Sequence, residues 1–368
     1  MKQVQKIGAG QIMAVFICSR IVATLTYSFD ISGNSMSNAE WFAALLLIPI
    51  LLIMAIPAFC LYRQTGLSAV NSAYAISKPV GVITSILFAL FFLVGTITSV
   101  SRFNIFLTSS METEHASFFY PVIILIPACY AAIKGIEALS RASCLIAISG
   151  LLSILIIIAA VLNRFDFTHI LSPLYYGADK LVNPIITFIS NTTEIVSLLI
   201  LFPRITGNTK KAYVGFSVIS GILISVILFT MIAAFGTFAS YQNFPFYSVA
   251  GIAEIGELKQ LSALHAATWM LGLFVKCSLF LYLTYTCLED IIPEKYRKTT
   301  ILLCSTVIFI LTSLMSSDFL MSIKAFSAHV WIYTIAFFSI VIPLLLIIGN
   351  AIKEKSLRNR RSKAPTIS

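Results

Sequence analysis

The chain has 368 residues, of which 58% are hydrophobic and 11% charged, and its mean hydropathy is +0.95. Soluble domains carry about 25% charged residues, so this composition excludes a soluble globular protein and defines a polytopic membrane protein. The formal net charge of +10 is mostly a topology signal, as shown below, and does not argue for nucleic-acid binding.

Apolar blocks of about 20 residues, the length that crosses a bilayer as a helix, predict ten spans. They lie at roughly 8–29, 40–62, 80–108, 118–133, 141–162, 181–203, 212–238, 266–288, 299–317 and 328–349. Hydrocarbon offers the backbone no hydrogen bonds, so the blocks are expected as helices and not as open strands. The third is long and the fourth short, which fits tilt. Lys2 and Lys6 precede the first block, but no small-residue cleavage site follows and Arg20 interrupts it. That is not the pattern of a cleavable signal peptide.

Charge sets the orientation. With the N-terminus cytoplasmic, inside segments hold 18 of the 25 Lys and Arg, six of them in the tail "KEKSLRNRRSK". Outside loops hold four: Arg164, Lys180, Lys259 and Lys324. This asymmetry predicts an even span count and cytoplasmic termini. Residues 1–350 read as one permease-like domain with repeats at about 1–165 and 180–350, followed by a basic tail, 351–368. The tail is expected to lie against anionic lipid. Trp41, Trp269 and Trp331 fall near outer span ends, as interface anchors do.

Cys18, Cys60, Cys129, Cys144, Cys277, Cys287 and Cys304 mostly fall inside apolar blocks without metal or disulfide spacing, and read as packing residues. The sequon at Asn191 sits within a hydrophobic block and is discounted. His115, His169, His265 and His329 are scattered among outer loops and span ends without ligand spacing. His265, at the outer mouth of the eighth span, reads as an interface residue. No enzyme constellation, phosphate loop or cofactor motif emerges.

Three basic residues, Arg20, Arg102 and Lys276, and one acid, Glu194, remain inside spans. At 1.5 Å per residue Arg20 lies about 20 Å from the cytoplasmic end of the first span and about 14 Å from its outer end. Glu194 and Lys276 come out at similar depth. Arg102 is about 9 Å from the outer end of the third span, within reach of the interface by snorkelling. Each deep charge costs roughly 2.5–3.5 kcal/mol at a helix centre, so the three should face a polar cavity and pair there. Two deep cations and one anion leave a positive charge that a ligand carboxylate could match, unless Lys276 is neutral. This favours an amino-acid-like ligand over a neutral sugar.

The sixth span, "VNPIITFISNTTEIVSLLILF", carries Ser190, Asn191, Thr192 and Thr193 just before Glu194. Such side chains offer the backbone alternative hydrogen bonds, so a short unwound segment is expected there, as in discontinuous transporter helices. The centre of the first span, "CSRIVATLT", is polar without Gly or Pro, and a second break is expected near Ser19–Arg20. Two five-span halves would place these two spans in opposite orientations, as inverted repeats require. The candidate ligand-binding residues are therefore Ser19, Arg20, Thr24, Arg102, Asn191, Thr192, Thr193, Glu194 and Lys276; no metal site is expected.

The ten spans, "KGIEALSRAS" with Gly135, Glu137 and Arg141, the Glu194 of "ISNTTE", and "WMLGLFVKCSLFLY" with Trp269 and Lys276 together resemble the B subunits of GerA-type spore germinant receptors. These are endospore germination permeases of the amino acid–polyamine–organocation superfamily. The resemblance implies an all-α, LeuT-like 5+5 inverted-repeat fold with spans 1, 3, 6 and 8 around a mid-membrane site. It also implies a nutrient sensor, commonly for amino acids, that works with an A-type subunit and a lipoprotein C-type subunit in the spore inner membrane. The alternative is a proton-coupled amino acid permease.

Overall fold

A computed structural model describes residues 5–29, 39–110, 119–170, 172, 174–175, 177–256, 258–316 and 327–362. His115 and Lys324 lie outside the described residues. The spans are α1 (Ala9–Leu25), α2 (Glu40–Thr65), α4 (Lys78–Ser110), α5 (Tyr120–Lys134) and α6 (Ile136–Val161) in the first half. The second half has α7 (Val182–Ser190) and α8 (Glu194–Leu201) as one broken span, then α9 (Thr209–Phe235), α11 (Ser262–Leu288) and α12 (Arg297–Ser316). Its last span is α13 (Ala328–Ala336) continued by α14 (Ile342–Ser362). Eight are long and apolar enough to cross a membrane; α1 and α5 are shorter apolar helices. All ten predicted spans thus have a helical counterpart.

Two short helices connect spans: α3 (Ala69–Ile76) follows α2, and α10 (Pro245–Ile252) follows α9. The Ser68 hydroxyl accepts from the Asn71 amide at 3.1 Å and starts α3, the ordinary N-cap arrangement. In the last span a π-helical turn, Phe337–Val341, sits just before Pro343. Proline has no N–H to donate to the preceding turn, and a widened turn accommodates the loss. Beyond it α14 runs on to Ser362, so the start of the basic tail is a continuation of the last span.

The first span differs from expectation. Residues 9–25 form one uninterrupted helix, with no break at Ser19–Arg20. The helix ends instead at Thr26, whose N–H donates to Val22 O. The physical reason is local. The segment lacks Gly and Pro, and the Thr24 hydroxyl donates back to Arg20 O at 2.9 Å, which leaves the helical ladder intact.

The buried axis of the bundle is α1, α8 and α11. All eight residues of α8 are buried. The backbones of α1 and α11 approach closely at Gly272, where an added Cβ would lie 3.0 Å from Val22 Cγ2 and 3.1 Å from Cys18 O. Gly272→Leu should therefore overpack this crossing and cost roughly 1–3 kcal/mol, read as a lowered unfolding temperature of the detergent-solubilised protein. An unchanged temperature would mean that the two helices are not held so tightly.

At the end expected to be cytoplasmic, β1 (Ile7–Gly8) pairs in parallel with β2 (Ile205–Thr206), tying the start of α1 to the end of the broken span. Gly135, at φ 101°, joins α5 to α6; Gln5 Oε1 accepts from Ile136 N there at 3.1 Å and would collide with any Cβ on Gly135. Glu137 and Arg141, from the same motif, form an exposed ion pair at 2.5 Å one turn apart.

Two expected interface residues are core residues. Trp269 is fully buried, 4.1 Å centroid to centroid from Phe106. His265 is also fully buried, ringed by Phe106, Phe246, Tyr247 and Trp269. The short helix α10 covers this end of α11, and no loop signal in the sequence announces that cover.

Candidate functional site

The sixth span breaks where its hydroxyl and amide side chains compete for backbone groups. The C-terminal carbonyls of α7 are taken by side chains: Asn191 Nδ2 donates to Thr187 O at 2.8 Å, and Thr192 Oγ1 to Phe188 O at 3.0 Å. Residues 191–193 are non-helical, and Glu194 opens α8. A carboxylate in a first helical turn is favoured by the positive end of the helix dipole.

Two distinct arrangements flank this break. The first is a sealed ion pair. Arg20 Nη2 donates to Glu194 Oε2 at 2.9 Å and to Thr192 Oγ1 at 3.1 Å, and both charged side chains are 1% exposed. The Phe216 ring of α9 lies 5.7 Å from the guanidinium carbon. One deep cation and the only deep anion thus neutralise each other.

The second arrangement is a two-chambered cavity. An inner chamber of about 40 Å³ is lined by Val22 and Ala23 of α1, Thr26 just beyond it, Gly95, Thr98, Ser99 and Arg102 of α4, and Ser190, Asn191 and Thr193 of the broken span. Lys276 of α11 and Trp331 of α13 complete it. An outer chamber of about 470 Å³ continues past Tyr27, Ser28, Ile105, Ser109, Asn243, Phe244 and Ala328. Ala23, Thr26, Arg102, Ser190 and Asn191 border both chambers, so they form the neck between them. Arg102 Nη1 donates to Asn191 Oδ1 at 3.3 Å across that neck. Lys276 Nζ lies 5.6 Å from the Phe280 centroid and has no hydrogen bond or ion pair among the described residues.

The expected site residues therefore divide. Arg102, Asn191, Thr193 and Lys276 border the cavity. Arg20, Thr24, Thr192 and Glu194 do not; they stand behind its wall. The reason is azimuthal. At 3.6 residues per turn, Val22 and Thr26 share one face of the first span, Arg20 and Thr24 lie roughly 160° around from Val22, and Ala23 stands at the edge between them. Ser19 is buried one turn further in, and its Oγ has no hydrogen-bond partner among the described residues. Thr26, Thr98, Ser99, Ser190 and Trp331 join the lining beyond the residues that the sequence points to. The spacing of Thr98, Ser99 and Arg102 on one face of an apolar helix was the signal available for two of them.

Away from the cavity, Arg204 bonds Tyr282 and holds Glu289 at 3.0 Å, joining the end of the broken span to the end of α11. Among the described residues no group of three His, Cys, Asp or Glu could hold a metal.

A bundle of ten helical spans, with a broken sixth span beside a polar cavity lined by spans 1, 3, 6, 8 and 10, defines a transporter-like membrane protein. The fold is that of the LeuT-type transporters. It matches Mhp1, a nucleobase-cation-symport-1 family transporter solved closed with bromovinylhydantoin, at a TM-score of 0.63 and 12% identity over 94% of this chain and 78% of that one. It also matches MhsT in complex with L-phenylalanine (TM-score 0.58, 14% identity, 95% and 100% coverage). A third match is a Na+-coupled sialic acid symporter in a substrate-bound outward-open state (TM-score 0.56, 14% identity, 94% and 88% coverage). At these identities the likeness is one of fold alone. The chain belongs to the spore germination protein family, whose permease model matches residues 6–320. No curated protein matches the sequence.

Proposed function

We propose that this protein is the nutrient-binding subunit of a spore germinant receptor, and that its ligand is a small carboxylate-bearing nutrient such as an amino acid. One observation carries the reading. The described walls of the two chambers present two cations, Arg102 and Lys276, and no carboxylate. With Glu194 consumed by Arg20, a ligand anion is the natural partner for Lys276. The ligand carboxylate sits in the inner chamber between Lys276 and Arg102, helped by the Thr193 hydroxyl and Asn191. The remainder occupies the outer chamber, whose volume is in the usual range for small-molecule sites. This refines the sequence-based expectation: Arg20, Thr192 and Glu194 hold the break in shape and do not touch the ligand.

Binding biases a rocking equilibrium of the bundle, which A-type and lipoprotein C-type subunits read in the spore inner membrane, with both termini cytoplasmic. The alternative, a permease that moves an amino acid with a proton, draws support from the transporter fold. Reconstituted vesicles separate the two. The receptor reading expects saturable binding of a labelled amino acid without accumulation, whatever the pH gradient. Uptake driven by that gradient would establish the permease instead.

A further inference from the structure

A separate cleft lies between α2 and α9, and none of its lining residues borders the central cavity. Its upper part, about 320 Å³, is walled mostly by apolar side chains, Leu52, Ala55, Ile56 and Val214 among them, with Cys60 and Tyr213 beside them. Its lower part, about 520 Å³, opens at the end where Lys and Arg gather, over Tyr62, Phe202, Gly207, Asn208 and the first turn of α9. Phe59, Arg63 and Lys210 border both parts, so two cations from different helices stand at the junction of an apolar slot and a polar mouth. Neither has a hydrogen bond or ion pair among the described residues, and no acid lines either part.

The surroundings fit a lipid better than a soluble ligand. Ile53 and Ile56 are 64% and 55% exposed and Val214 is 45% exposed, so the slot opens sideways to hydrocarbon. Tyr62 and Phe202 stack at 4.7 Å with rings 8° apart and give the mouth a rigid floor. Two unmatched cations beneath an apolar slot are complementary to a phosphate attached to an acyl chain. Basic pockets between spans on the cytoplasmic side take anionic headgroups in this way.

We propose that the α2–α9 cleft is a site for one anionic phospholipid, with its phosphate between Arg63 and Lys210 and an acyl chain along Leu52, Ala55 and Val214. The site is independent of the nutrient cavity. Native mass spectrometry of the full-length protein in detergent tests it, using phosphatidylglycerol, phosphatidylcholine with the same chains, and inorganic phosphate alone. The wild type should retain phosphatidylglycerol at a lipid concentration roughly tenfold below that for phosphatidylcholine, and Arg63→Gln with Lys210→Gln should abolish the difference. Both side chains are exposed, so folding should be unaffected. Val214→Trp, which fills the slot but keeps both cations, should also release the bound lipid. Equal retention of the two lipids, or a preference surviving the double substitution, would overturn the proposal. If inorganic phosphate binds as well as the lipid and Val214→Trp changes nothing, the cleft is an anion site and not a lipid site.

Discussion

Glu194→Gln should sharply lower the amount of folded protein recovered from membranes. The substitution removes the negative charge that faces Arg20 at 2.9 Å, with both side chains 1% exposed. Breaking one half of a buried pair costs about 3–5 kcal/mol, because the remaining charge stays in a low-dielectric interior. Arg20 is 1% exposed, and the contacts it keeps, the Thr192 hydroxyl at 3.1 Å and the Phe216 ring, are uncharged. Replacing both partners together, Arg20→Met with Glu194→Leu, should restore much of the loss, because well-packed apolar groups of similar volume often match a buried ion pair. The measurement is the unfolding temperature and monodisperse yield of each detergent-solubilised variant. The same set tests function. If the pair only shapes the break, the double variant keeps a nutrient response; if either residue touches ligand, the double variant folds but fails to respond. A wild-type unfolding temperature for Glu194→Gln would show that the pair is not a keystone of the bundle.

Lys276→Gln should act in the opposite way, leaving folded protein at wild-type levels and weakening nutrient sensing. The ammonium faces the inner chamber without a hydrogen-bond partner among the described residues, so its removal leaves no protein group orphaned. A hydrogen bond to a charged group contributes about 1.5–3 kcal/mol, a shift of roughly 10- to 150-fold in the nutrient concentration for half-maximal germination. The shift is measured with the amino acid most effective on wild-type spores. Arg102→Lys should give a smaller shift, because it keeps the charge and loses the guanidinium's hold on Asn191. Spores carrying Lys276→Gln that respond at wild-type concentrations would remove Lys276 from the site.

The fold was largely legible in the sequence because hydrocarbon permits few solutions. Apolar blocks had to become helices, and each predicted span has its helix, although the last one runs on past the predicted end at 349 to Ser362. The break in the sixth span was legible too, since Ser190, Asn191, Thr192 and Thr193 carry their own hydrogen-bonding alternatives to the helix. Of the charges that the sequence places within spans, Arg20, Glu194 and Lys276 are all buried in the bundle. What sequence could not determine was azimuth and cover. Whether Arg20 turns toward the cavity or toward Glu194 depends on how α1 is rotated against α8 and α9, and that is a property of packing. The same holds for His265 and Trp269, which composition places at an interface and α10 closes into the core. The unbroken first span was hidden for a related reason: its polar centre looked like that of the sixth, but it has no Asn to take a turn carbonyl, and Thr24 donates back to Arg20 O without opening the ladder. Sequence alone therefore determined which segments form long apolar helices, where one of them breaks and which charges lie within them. Tertiary structure alone decided which of those charges cancel and which still face the cavity, because ion pairing depends on the distance between side chains from segments far apart in the chain.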